Sequence, residues 1–353
     1  MRILVTGGAG FVGSSLALAF KNDNPSAEII AADNLKRRGS ELNLPRLREA
    51  GIRFEHADIR EPDDIAALGP MDLLLECSAE PSVQAGYSGS PAYLLDTNLR
   101  GTLNCLEAAR HHDAIMVFLS TSRIYPIDPL CALPLETENH ALSIPSGATG
   151  PGWSEHGIAE GFPLDGHRSL YGTTKLASEQ FIEEYRAAFG LKAIINRCGV
   201  LAGPWQMGKV DQGFMCLWAA RHLYGGKLSY NGFGGFGHQV RDVLHVADLY
   251  DLLVRQLADM EISAKGVWNV GGGKANATSL RQLSAACAAR ARRELDIVSH
   301  PDTNPADIPW FVTDARRAMA AFGWAPKRPL DILLDEIFDW LEAKRESLQP
   351  LLS

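Results

Sequence analysis

Arg2-Ile3-Leu4-Val5-Thr6 runs without a break into Gly7-Gly8-Ala9-Gly10-Phe11-Val12-Gly13, and the reading of this stretch decides the fold. The apolar run reads as a buried strand, and the glycines read as a tight turn into a helix. Gly7 permits the turn, Gly10 lets the backbone approach a pyrophosphate, and Gly13 lets the helix pack on the sheet. The helix N-terminus, carrying Phe11 and Val12 in its first turn, then points its free N–H groups and positive dipole end at the phosphates. The spacing is G-x-x-G-x-x-G, not G-x-G-x-x-G, and its place between a strand and a helix marks a dinucleotide site.

Working outward, residues 28–32, 52–56, 71–77 and 114–119 read as strands, separated by helices near 11–22, 40–50 and 90–111. A further helix starts near Ser169, and a β-rich run follows at 192–197. This alternation predicts an α/β fold, a doubly wound parallel sheet of Rossmann type with a smaller, mixed C-terminal substrate lobe. The expected division is 1–200 for the dinucleotide-binding domain and 201–353 mainly for the substrate lobe. The short strands expected at 240–244 and 266–270 would return to the first domain and complete it.

The chain has 353 residues, 46% of them hydrophobic, enough for one large domain or two intimate ones. Its net charge of −8 is spread evenly, and Lys36-Arg37-Arg38 is too short a basic run to argue for nucleic acid. No apolar run approaches the ~18 residues of a membrane helix, and the chain enters its first strand without a signal segment, so a cytoplasmic protein is expected. Six scattered cysteines without a C-x-x-C pair read as reduced thiols, and no metal site is expected.

Three groups of residues carry chemistry. Asp33, ending the second strand, can accept both ribose hydroxyls of an adenosine, which favours NAD over NADP; Lys36, Arg37 and Arg38 supply the opposing reading, a 2′-phosphate clamp. Asn34 joins Asp33 in the cofactor set, and Asp58 and Ile59 are placed to flank the adenine. Tyr171 and Lys175, four positions apart at the start of a helix, share one face. A phenol with a reference pKa of ~10 becomes a usable base when an ammonium and a positively charged nicotinamide stabilise the phenolate. Thr121, at the end of the fifth strand, offers a hydroxyl to the moving proton, with Ser122 as the alternative.

Taken in this order, the glycine turn, the hydroxyl-rich strand end and the Tyr171/Lys175 pair resemble the extended short-chain dehydrogenase/reductase family, over nearly the whole chain. Residues 33–39, 210–214, 238–245 and 311–314 are similar to segments of the CDP-hexose 2-epimerases within it. The resemblance implies that Thr121, Tyr171 and Lys175 are catalytic and that Asn98 lies at the cofactor. It implies that Ser122, Arg123, Gln206, Gln212 and Arg241 contact substrate, Arg241 through the diphosphate. Related 4,6-dehydratases carry Asp-Glu directly after the catalytic Thr; here Ser122 and Arg123 stand there, which disfavours dehydration. Val200 and Pro309 depart from residues that touch the nucleotide in many relatives. The expected activity is NAD-dependent epimerisation of a nucleotide sugar, at C2 of a CDP-linked hexose, in a homo-oligomer. The rivals are a 4-epimerase or dehydrogenase on a UDP, dTDP or GDP sugar, and a non-catalytic NAD-binding regulator. The segment between Thr121 and Tyr171, with its Pro- and Gly-rich 145–153, is expected to form a lid or an oligomer contact.

Overall fold

Ile3 to Thr6 are fully buried, as a parallel strand flanked on both sides must be. The computed structural model describes residues 1–87, 89–208 and 213–352. In chain order the first elements are β1 (Arg2–Thr6), α1 (Phe11–Asp23), β2 (Glu28–Asp33), α2 (Leu44–Glu49), β3 (Arg53–His56), α3 (Pro62–Ala67) and β4 (Leu73–Glu76). After them come α4 (Ala92–Leu95), α5 (Gly101–His111) and β5 (Ile115–Thr121). A π-helical turn, Asp96–Arg100, joins α4 to α5.

A seven-stranded sheet has the order Val267–Val270, Ala193–Cys198, β5, β4, β1, β2, β3. The pairs from β5 to β3 are all parallel, with Thr6 beside both Ala32 and Glu76. Strand order reverses between β1 and β4, and ligands of doubly wound sheets bind in the crevice at such a point, beyond the carboxyl ends of the strands. The sheet is held by interleaved Leu4, Ile30, Leu74, Met116, Phe118 and Ile195, packed against Cys105, Leu106 and Ile182 of the helices.

The chain divides into two compact units: 1–124 with 169–197 and 249–268, and 125–168 with 198–248 and 269–353. This differs from a single boundary near 200. Residues 125–168 belong to the second unit because their backbone bonds there: Ile158 donates to Val312, Asp314 donates back to Ile158, and Leu142 donates to His238. The lid expected between Thr121 and Tyr171 is thus tied into the second unit by main-chain hydrogen bonds.

The second unit has its own sheet, in which Val200–Ala202, Val240–His245 and Ala277–Ser279 lie in order and Trp310–Phe311 pairs with Val240–His245. The expected return of 240–244 to the first sheet is corrected here; only Val267–Val270 makes it. The pairing explains the difference: Val240 to Asp242 meet Thr278 and its neighbours, and Val243 to His245 meet Val200 to Ala202. Trp218 Nε1 and Tyr230 Oη both bond Ser284 Oγ in the interior of this unit. Ser279 and Gln282 form a reciprocal capping box that starts the Leu280–Ala291 helix.

Candidate active site

At the glycine turn, Gly7 has a φ of +62°, and a Cβ there would lie 2.7 Å from the carbonyl oxygen of Cys77, beyond β4. A Cβ on Gly13 would overlap the carbonyl oxygen of Gly7. Gly10 is the N-cap of α1; no side chain caps this helix and its first turn holds no acidic residue. Its exposed dipole end suits an anion. Asp33 closes β2 beside this turn, accepting hydrogen bonds from Ala9 N at 3.1 Å and Leu35 N at 2.8 Å. Burial pushes its carboxyl up from the ordinary value, and the backbone N–H groups of Leu35, Ala9 and Gly10 partly offset this.

Asn34 donates to Asp58 Oδ2 at 2.9 Å, joining the ends of β2 and β3. Hydrogen bonds from Arg60 hold the Asp58 carboxyl down at about 2. Ile59 is buried against Gly101, where any Cβ would meet its side chain. Lys36 Nζ lies 3.8 Å from the Tyr93 ring centroid, an aromatic contact that uses one cation of the basic run.

Asn98 sits in the π turn and is fully buried. Its Oδ1 accepts from Glu80 N at 2.7 Å and its Nδ2 donates to Glu80 O at 3.0 Å, so it fixes the loop after β4. π turns recur at functional sites, and this one packs directly on the helix Leu170–Phe189.

That helix begins at Ser169, whose Oγ accepts from Gly172 N at 3.1 Å. Tyr171 and Lys175 fall on one face of its first turns, both buried. The helix packs on β5 and on the turn Ser122–Ile124, which brings the three predicted catalytic side chains into neighbouring elements of one unit. Thr121 closes β5, buried, and its Oγ1 accepts from Arg123 N at 3.1 Å. Thus Thr121 keeps its own hydroxyl proton available for donation.

Reasoning from sequence missed the brace beneath these residues. Glu179, one turn beyond Lys175, accepts from Arg197 Nη2 at 2.8 Å, and Ser120 Oγ donates to the same carboxylate. The buried pair locks the helix to β5 and to Ala193–Cys198. A carboxylate four positions beyond Lys175 and an Arg late in the 192–197 run were the available signals. Glu76, the only acid in β4, is the other residue missed.

The predicted substrate contacts are distributed between the units. Ser122 and Arg123 belong to the first unit, Gln206 and Arg241 to the second; Gln212 lies outside the described residues. Gln206 Nε2 donates to Leu201 O at 2.9 Å. Arg241 bonds Asp307 Oδ1 at 3.0 Å, Ile308 O at 2.7 Å and Val240 O at 2.8 Å. Val200 pairs with Val243 in the second sheet, and Pro309 precedes the buried Trp310. The six cysteines are free thiols, and no cluster of metal-ligating side chains occurs among the described residues. No helix among those residues is long and apolar enough to cross a membrane.

Residues 3–271 match the model of the NAD dependent epimerase/dehydratase family. The chain belongs to that family. It is 29% identical over 349 residues to the CDP-paratose 2-epimerase of Salmonella typhi, covering 96% of this chain and 99% of that one. It is 28% identical over 365 residues to the dTDP-glucose 4,6-dehydratase of Streptomyces niveus, covering 100% of this chain and 96% of that one. The UDP-glucose 4-epimerase of Thermus thermophilus, solved with NAD, superposes with a TM-score of 0.76 at 26% identity, over 96% of this chain and 99% of that one. NAD is the family's cofactor, and the residues fit it: an uncapped helix N-terminus, glycines with no room for a side chain, and a half-buried carboxylate at the end of β2.

Proposed function

We propose that this protein is an NAD-dependent epimerase that inverts C2 of a CDP-linked hexose, on the pattern of CDP-paratose converted to its C2 epimer. One observation carries the choice of epimerase over dehydratase: the turn after Thr121 holds Ser122 and Arg123, with no carboxylate to supply the acid and base for eliminating water. Glu179, which the Ser120 hydroxyl beside Thr121 reaches, is already held by Arg197. Similarity along nearly the whole length to a CDP-paratose 2-epimerase supports the CDP-hexose reading.

Bound NAD would supply a reversible hydride acceptor for the sugar carbon. Gly7, Gly10, Phe11, Val12 and Gly13 hold its pyrophosphate, Asp33 and Asn34 its adenosine ribose, and Asp58 and Ile59 flank its adenine. Asn98 fixes the adjoining loop. Tyr171 Oη takes the proton of the sugar hydroxyl, the Lys175 ammonium stabilises the phenolate, and Thr121 Oγ1 shares the proton in flight. Arg241 is assigned to the nucleotide diphosphate, and Ser122, Arg123, Gln206 and Gln212 to the remaining substrate contacts. A firm hold on the nucleotide, remote from the reacting carbon, lets the transient ketone turn over without escaping. A homo-oligomer belongs to the same reading.

The test is incubation of purified protein with CDP-paratose, UDP-glucose and dTDP-glucose in parallel, followed by NMR of the products. Inversion at C2 of CDP-paratose alone supports the reading. Inversion at C4 of UDP-glucose, or a 4-keto-6-deoxy product from dTDP-glucose, replaces it.

A further inference from the structure

Glu76 has no task in the chemistry above, yet its place in the fold is unusual. It closes β4 in register with Thr6 of β1 and Phe118 of β5, and its side chain is entirely buried. Neither carboxylate oxygen has a hydrogen-bond donor among the described residues. A carboxylate taken from water without donors loses its solvation and stays ionised only beside a compensating charge. That charge is Lys175: Nζ lies 3.6 Å from Glu76 Oε2 and 4.4 Å from the centroid of the Phe118 ring.

Each element packed around the pair adds little further charge. The Cys105 thiol, from α5, is kept neutral by burial and by Glu76 itself. Thr6 and Phe118 are uncharged. Along the helix, Glu179 is neutralised by Arg197. Lys175 therefore has one buried anion beside it and lies one helical turn from Tyr171 on the same face.

We propose that Glu76 is a positioning residue for Lys175: its carboxylate anchors the ammonium at the carboxyl end of β4 and sets how much positive charge reaches Tyr171. This rests on the reading of Tyr171 as the base. Burial pushes the Glu76 carboxyl up, and Lys175 opposes that push. The sign of the effect follows from Coulomb's law. With the Lys175 charge unchanged, removing a nearby negative charge favours the phenolate, so Glu76→Gln lowers the pH at which Tyr171 ionises, while Glu76→Asp, which keeps the charge, leaves it in place.

The experiment needs neither substrate nor turnover. Tyrosinate absorbance is titrated in the protein with and without Tyr171→Phe, and the difference isolates this phenol from the other seven of the chain's 8 tyrosines. In the Glu76→Gln background the midpoint falls by about one pH unit, the order of one charge's effect in a poorly hydrated site. A midpoint within about 0.2 unit of the parent protein, or above it, overturns the proposal. Should Glu76→Gln fail to fold, a second comparison decides: Glu76→Gln/Lys175→Met unfolds at a higher denaturant concentration than Lys175→Met alone, because the single change strands a buried carboxylate. A double variant no more stable than the single one refutes the pairing. A shifted midpoint in a protein that turns over no nucleotide sugar would overturn the proposed function and leave the role of Glu76 standing.

Discussion

Glu179→Gln should be one of the more destabilising single changes in the first unit. Both partners of the pair are buried, with side-chain exposures of 5% for Arg197 and 4% for Glu179. Arg197 Nε and Nη2 both donate to the carboxylate, at 3.1 and 2.8 Å. Removing one member of such a pair leaves a buried charge uncompensated, at a cost of about 3–5 kcal/mol. The Gln oxygen still accepts one hydrogen bond, which places the expected loss near the lower end, about 3 kcal/mol. Set against a total stability of about 5–15 kcal/mol, this is a large fraction. Urea unfolding followed by tryptophan fluorescence reads it directly. Replacing both partners, as Glu179→Met/Arg197→Met, should recover most of the loss, since no charge is then stranded. A loss below about 1 kcal/mol for Glu179→Gln would show that water reaches the pair and that the brace beneath Thr121 and Tyr171 has been misread.

Tyr171→Phe should lower kcat by about 100-fold or more with stability nearly unchanged, and steady-state kinetics retaining over about a tenth of the activity would reassign the base. Arg241→Ala should raise KM for the nucleotide sugar far more than it lowers kcat, because a diphosphate is gripped equally in ground and transition states. Asp307→Ala is the control: it removes the carboxylate partner of Arg241 and leaves its bonds to Ile308 O and Val240 O, so an equal rise in KM would mean that Arg241 serves to hold this loop rather than to grip the diphosphate. Asp242 is buried, and its carboxyl is pushed up to about 6 despite hydrogen bonds from Gly273 N and Thr313 Oγ1. The native state thus holds a proton that the unfolded chain, at 3.8, has lost, so this group's contribution to stability falls as pH rises from about 4 to 6. Asp242→Asn should remove that slope from denaturant titrations run across this range.

Where backbone pattern and chemistry coincide, the sequence was readable. The Arg2–Thr6 run and the three glycines announce the sheet and its switch point, because a parallel strand must be apolar and the turn excludes side chains at Gly7 and Gly13. Ser169 marks the start of the Tyr171/Lys175 helix because its hydroxyl satisfies a free N–H. Tertiary pairing was not readable. Val240–His245 reads as a strand, but nothing local assigns it to a sheet, and its partners at Thr278 and Val200 are set by contacts distant in sequence. For the same reason residues 125–168 followed the chain into the first domain on paper, although Ile158 bonds the 312–314 backbone. Glu76 and Glu179 went unread since a buried acid has no local signature; only the cations that reach them, Lys175 and Arg197, make sense of them.

Inversion by transient oxidation and re-reduction at one carbon can be followed with an isotope at that carbon. CDP-paratose carrying deuterium at C2 is converted in ordinary water, and the product is examined by NMR. Retention of the label at C2, with no accumulation of reduced cofactor, is the result the account predicts, because the deuterium leaves and returns as hydride and never meets solvent. Complete loss of the label in a single turnover would contradict it, showing that the carbon is inverted by proton exchange instead.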